Sequence, residues 1–445
     1  MQLRANKDNR ASISSNLLYS KSDLILIPLI ILLVIFYAWG MMMVPFHPDE
    51  STQIYMSQDF SYLFTSPVAL SFNPDHHLSA EGRYRAIDAP LARYMIGLSR
   101  SINNTPALSS DWDWELGWTD NRDSGALPTN EQILVSRAAA TFFLPISLIF
   151  FYFSIRKIFS IPLSLIATSY LGLHPLILLH SRRAMAESFL LFGLTFFLWS
   201  ITRDKVHPWI VGIALAIAVC AKQTNAILLP VGIIAVCMIP NEGRYLRKML
   251  SRLFKYSGVF FIFWFMLNPF FWKYPISAFQ TSISLRQLLI NQQMNTHLAV
   301  ENLSLLERFY FLISNLFILP PSPQEVSSYL KETAEAILVY NSHSLHTWGR
   351  GIISGSLLFS LTIGGTVIAI RSFSNLPHTK KRATGLIGLA FLFLIFMNLM
   401  IPIPWQRYSL ALIPFIVFLS SFGLSPIISS ISNLVLDHKE DKQNE

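Results

Sequence analysis

The residues with the most chemical potential form a short string, His47-Pro48-Asp49-Glu50. Two adjacent carboxylates beside an imidazole offer a general base. Pro48 ends one helix and pre-orders the start of the next. Asp49 and Glu50 then occupy a first helical turn, where the macrodipole favours anions. The same spacing therefore suits a plain helix cap, and the string alone does not choose between cap and base.

Other clusters carry cations. Arg83, Arg85 and Arg93 flank Asp88 in a short polar segment, where ordinary loop charge is the simpler reading. Ser181-Arg182-Arg183-Ala184-Met185-Ala186-Glu187 puts two arginines and a glutamate in a turn between apolar runs. Charge near a bilayer is costly and tends to be functional, although arginines also snorkel. Lys222 joins two short apolar runs, where it could snorkel or hold a phosphate as a point charge. Asn268-Pro269-Phe270-Phe271-Trp272-Lys273 and Pro402-Ile403-Pro404-Trp405-Gln406-Arg407-Tyr408 each follow an apolar run.

The elements that must position these residues are membrane helices. The chain of 445 residues is 52% hydrophobic and 13% charged, against about 25% charged in an ordinary soluble domain. Such a chain cannot cover a water-facing surface, so lipid is its main solvent. Windows of about 20 residues pick out about ten spans: 24–44, 133–155, 161–179, 185–202, 209–221, 226–239, 256–267, 351–370, 384–402 and 408–427. The fifth and sixth are short and need tilt or flanking residues to cross. The run from Leu24 is too long for a signal-peptide core and lacks a small-residue cleavage site, so it reads as a retained first helix.

The organisation expected is a cytoplasmic tail 1–23, a transmembrane module 24–275 with an outer loop 45–132, an outer segment 276–350, C-terminal helices 351–430 and a cytoplasmic tail 431–445. Short basic loops, including a basic loop 241–255, set both termini inside. The net charge of +8 then reflects topology rather than nucleic-acid binding. Cys220 and Cys237 both fall in apolar runs and suggest neither a disulfide nor a zinc site. In the outer loop, Leu91, Met95 and Leu98 recur at helical spacing. They suit an amphipathic helix on the membrane, anchored by Trp112, Trp114 and Trp118, or equally a packed loop core. Four of the clusters place Arg or Lys on the outer side, against the topological bias. A shared anionic partner would explain them together.

In this order, the motifs resemble the C-superfamily membrane glycosyltransferases, with protein O-mannosyltransferases and lipid A aminoarabinose transferases as the nearest groups. The residues that carry the resemblance are Asp49-Glu50, Asp88-Ala89-Pro90-Leu91-Ala92-Arg93-Tyr94, the Ser181–Glu187 turn, the helix ending in Lys222, Asn268-Pro269-Phe270, and Arg407-Tyr408. They cover roughly residues 25–275 and 400–425. The family often has Lys or His with two prolines where Asp88-Ala89-Pro90 stands, and Asp where Glu187 stands. Arg83, Arg85 or Arg93 could take over the donor phosphate.

The resemblance implies a transferase that uses a polyprenyl-phosphate sugar and works by inverting single displacement. The bilayer would be a bacterial inner membrane, with the active site facing the periplasm or exterior. Asp49 would take the proton of an acceptor hydroxyl. Arg182, Arg183, Lys222 and Arg407 would stabilise the leaving phosphate. Glu50, Glu187, His47, Asp88 and Tyr408 would orient substrate or side chains. Acceptors span lipid, glycan or protein. A divalent metal is undecided, since His47 and the carboxylates lack a diagnostic ligand spacing. The rival class is a transporter or flippase of a lipid-linked or anionic substrate. Transporters, however, tend to put charge and broken helices near the midplane, and here charge sits at helix ends on one side.

Overall fold

A computed structural model describes residues 21–238, 245–296, 303–325 and 329–444. The N-terminal tail up to residue 20 and Arg244 of the basic loop lie outside them. Among the described residues every regular element is helical. Six helices among the described residues are long and apolar enough to cross a membrane: Asp23–Met43, Asn130–Ile155, Leu246–Leu267, Ile352–Asn375, His378–Met400 and Gln406–Ile428. Four shorter apolar helices lie among them, at Ile161–Gly172, Glu187–Thr202, Pro208–Ala221 and Gln223–Cys237. Ten crossings require those four to cross as well.

Two expected boundaries move, each for a local reason. The expected span 161–179 stops at Gly172 and restarts as a short helix, Pro175–His180. Pro175 has no N–H to donate and holds His174 in an extended conformation, so the first helix cannot run on. The basic loop 241–255 is helical from Tyr245, and the helix runs on to Leu267. Its Arg252 donates to the carbonyls of Val236 and Val206, both at 2.7 Å.

The helices pack through small residues and backbone contact. A Cβ at Gly365 would collide with the Leu419 carbonyl, and one at Gly423 with that of Leu361. Such close approach is how helices gain van der Waals contact where lipid removes the hydrophobic drive. One large core runs through the bundle from Leu33 to Phe422.

Charges collect at two opposite ends. At one end Asp23 meets Arg156 at 3.2 Å, Lys157 meets Asp204 at 2.6 Å, and Lys380 donates to the Ile158 carbonyl at 3.0 Å. The other end carries His47, Asp49 and the longer polar segments. There the Leu91–Ile102 helix packs on the Pro48–Met56 and Asn130–Ile155 helices. It buries Leu91, Ala92, Tyr94 and Ile96 and is packed into protein. Trp112 is also buried, with ring centroids 6.0 Å from Phe46, 5.6 Å from Trp118 and 6.4 Å from Tyr329. These tryptophans tie the first polar loop to the segment that carries Tyr329. Residues 276–350 also hold helices, at Pro275–Thr296, Leu305–Ile313 and Leu330–Ser342.

Candidate functional site

The site begins with a helix cap. His47 stands before the Pro48–Met56 helix, and its Nδ1 accepts from the Asp49 amide at 3.1 Å. Glu50 reaches back to accept from the His47 amide at 3.1 Å. Pro48 occupies the first turn, where its missing N–H costs nothing. The helix-cap reading is therefore realised, through the His47 ring and the Glu50 carboxylate.

Glu50 is fully buried and belongs to a closed knot. Arg137 donates to its two oxygens at 2.8 and 2.7 Å, and the Ala184 amide donates at 2.9 Å. Arg137 also donates to the Met41 and Val44 carbonyls at 2.9 and 2.8 Å. The knot thus joins the end of the first span, the Asn130–Ile155 helix and the arginine turn. Burial pushes the Glu50 carboxyl up. Arg137, Arg183 and the Ala184 amide pull it down further, and it ends below the usual range.

Asp49 faces the other way, and its side chain is 32% exposed. It pairs with Arg407, whose Nε also lies 2.9 Å from Glu325. Arg407 is held over the Trp405 ring at 4.6 Å and near that of Tyr408 at 5.7 Å. Glu325 is buried, and burial raises its carboxyl above the usual range against the pull of Arg407 and Arg183. His47 Nε2 lies 3.8 Å from Glu325. Burial, then Arg183 and Arg407, hold that imidazole well below its usual value, so it is neutral. On another side, Lys222 pairs with Glu187 at 3.0 Å and faces the Tyr408 ring at 5.4 Å. Asp88 lies 4.0 Å from Arg286, which also donates to Gln223 at 3.1 Å and to the Ile87 carbonyl.

The remaining cations have other partners. Arg85 and Arg93 both pair with buried Asp59, at 2.7 and 3.2 Å. Arg83 is exposed. Arg183 is buried and donates to the Pro45 and Pro323 carbonyls. Arg182 is buried against Gly40, where a Cβ would overlap its guanidinium. It donates to the Leu178 carbonyl at 2.6 Å and to His346 at 3.0 Å. Each also keeps a buried Nη1 with no hydrogen-bond partner among the described residues.

Sequence reasoning missed Glu325, Arg137, Arg286 and His180. Arg137 did carry a signal, as a single charge inside an apolar run. Glu325 follows Pro320-Pro321-Ser322-Pro323 and carries no motif. His180 is buried in the same neighbourhood, with both ring nitrogens lacking a hydrogen-bond partner among the described residues. Its titratable neighbours are Arg183, Arg407, Lys222 and the neutral His47. No group of three or more His, Cys, Asp or Glu among the described residues is placed to hold a metal. Arg407 stands between Asp49 and Glu325 and pairs with both.

No family model matches the chain, and no curated protein does. Among solved structures, the chain is similar to the Archaeoglobus fulgidus oligosaccharyltransferase in the apo form. The TM-score is 0.49 and the identity 11%, over 92% of this chain and 52% of that one. The same enzyme with an inhibitory peptide and a dolichol-phosphate gives 0.46 at 12% identity, over 92% and 52%. Tethered to an acceptor peptide containing the NVT sequon, it gives 0.47 at 11%, over 90% and 50%. The chain spans about half the length of these matches.

Proposed function

We propose that this chain is a membrane glycosyltransferase that moves a sugar from a polyprenyl-phosphate donor to an acceptor hydroxyl or phosphate. The chemistry takes place at the membrane face carrying the Asp49 end, which the basic loops assign to the outside. The observation that carries the reading is Asp49: a partly exposed carboxylate at a helix start, paired with Arg407, in the neighbourhood of Asp88, on which the charges of Asp49, Arg286 and Lys222 all act.

Asp49 takes the proton as the acceptor oxygen attacks the anomeric carbon. The bond from that carbon to the phosphate oxygen breaks, and its electron pair leaves with the lipid phosphate. Attack opposite the leaving group inverts the centre in one step. Arg407, Lys222 and Arg286 supply the positive charge that meets the developing phosphate, fixed in place before the reaction. Glu325 holds Arg407, Glu187 holds Lys222, and Tyr408 lies beside both cations. Asp88 and neutral His47 position the substrate edge. Arg85 and Arg93, bound to Asp59, shape the wall, with exposed Arg83 outside it.

Mass spectrometry of envelope lipids and glycans, with and without the gene, would identify the missing sugar. The gene should restore it and the Asp49→Asn variant should not. Restoration by Asp49→Asn would overturn the base assignment. Proteoliposomes that move the lipid-linked sugar across the bilayer without transferring it would favour the transporter reading.

A further inference from the structure

A second cation stands apart from the Asp49 centre. Arg350 lies between Gly349 and Gly351, whose φ values of 69° and 93° only glycine adopts easily. This Gly-Arg-Gly turn opens the Ile352–Ser372 helix. The guanidinium is folded inward, and its Nη1 donates to the Asn315 carbonyl at 3.0 Å. Its Nε and Nη2 are buried and have no hydrogen-bond partner among the described residues, and Arg350 makes no ion pair among them. Burial pushes its pKa down to about 10.

The surroundings are neutral. His174 is buried, with its Nδ1 unpartnered. Tyr170 and Trp348 rim the site with ring centroids 5.4 Å apart, and Trp348 Nε1 donates to the Leu173 carbonyl at 2.7 Å. The next two residues, Ile352 and Ile353, are 77% and 80% exposed on a helix apolar enough to cross a membrane. A Cβ at Gly349 or Gly351 would meet nothing within 4 Å, so the turn is open beside the arginine.

We propose that Arg350, His174 and the N-terminus of the Ile352–Ser372 helix bind the phosphate of a lipid. The adjacent Nε–H and Nη2–H form the planar fork that two phosphate oxygens match. The free amides of the helix N-terminus add donors of the same polarity. His174 offers a neutral imidazole nitrogen. The exposed isoleucines receive the acyl or prenyl chains. The anion offsets the cost of a cation held at the lipid boundary without a carboxylate. The site shares no residue with the Asp49 centre and does not rest on the transferase reading.

Native mass spectrometry of the delipidated full chain tests it, titrated separately with phosphatidylglycerol, polyprenyl phosphate and diacylglycerol. The wild type should bind a phosphate-bearing lipid in preference to diacylglycerol. Arg350→Gln should weaken that step about tenfold and Arg350→Lys by less, because lysine keeps the charge and loses the fork. Loss confined to phosphatidylglycerol marks a phospholipid site, and loss confined to polyprenyl phosphate marks a donor-lipid or product-lipid site. Equal binding by wild type and Arg350→Gln would overturn the proposal. So would a wild type that does not prefer phosphate lipids over diacylglycerol, a readout that stands even if the variants fail to fold.

Discussion

Asp49 and Glu50 share a helix start, a macrodipole and a charge, yet the structure separates them. One residue of helical rotation turns Asp49 toward Arg407 and partial exposure, and Glu50 toward Arg137 and complete burial. Around Asp49 the counter-charge comes from one arginine that also serves Glu325. Around Glu50 every acceptor direction is filled by Arg137 or a backbone amide. The difference teaches that a satisfied carboxylate builds structure, whereas one left partly open can exchange a proton with a substrate.

The sharpest break in this comparison is Asp49→Asn. The variant keeps the shape and loses the base, so turnover should fall by about 10² to 10⁴. The thermal midpoint should change little, because the side chain is partly solvated. Single-turnover assays beside thermal unfolding separate the two effects. Glu50→Ala should act the other way round. It strands Arg137 without its carboxylate, and breaking a buried pair costs roughly 3 to 5 kcal/mol. Denaturation in a fixed detergent measures that. A Glu50→Ala protein of normal stability with no turnover would erase the distinction.

The same region predicts acid lability. The Glu50 carboxyl ends below its usual value in the folded state. Its contribution to stability is full above the unfolded carboxyl pKa and is lost as pH falls through the folded one. His47 is also lowered, so folding favours its neutral form. That contribution is full above an ordinary histidine pKa near about 6.5 and declines as pH drops below it. The thermal midpoint should therefore fall as pH is lowered below that value. Glu50→Gln should flatten the carboxylate part of the curve, and His47→Gln the part beginning near about 6.5.

Much of this was legible in the sequence. The apolar runs gave the bundle, because lipid leaves a helix few options besides being apolar and closed on its own hydrogen bonds. His47 to Glu50 could be read as both cap and base, and Arg407, Lys222 and Glu187 could be picked out as charges at the ends of apolar runs. Their pairings were not legible. Glu325 meets Arg407, the partner of Asp49, only through tertiary folding, from a proline-rich segment without periodicity. Arginine type alone also could not separate Arg407 from Arg182. Both sit near helix ends in sequence, and only the fold shows that the second turns inward to His346. The 241–255 segment misled because its charges mask a helix that continues into the apolar run.

Smaller effects sharpen the comparison at its edge. Arg286 is partly exposed and lies between Asp88 and Gln223. Arg286→Gln should lower kcat/KM for the donor by about tenfold, the scale of one charge-assisted hydrogen bond, with kcat carrying part of the loss. Arg83 is the opposite case. It sits on the same Ala80–Ile87 helix as Arg85 but is exposed, while Arg85 is bound to Asp59. If sequence proximity to Asp88 were enough to bind the donor, Arg83→Gln would weaken binding as Arg286→Gln does. If position around Asp49 decides, Arg83→Gln should leave KM and stability near wild type, within the roughly 0.5 kcal/mol of an ordinary surface change. Measuring the two variants side by side on one donor preparation decides between sequence neighbourhood and spatial neighbourhood.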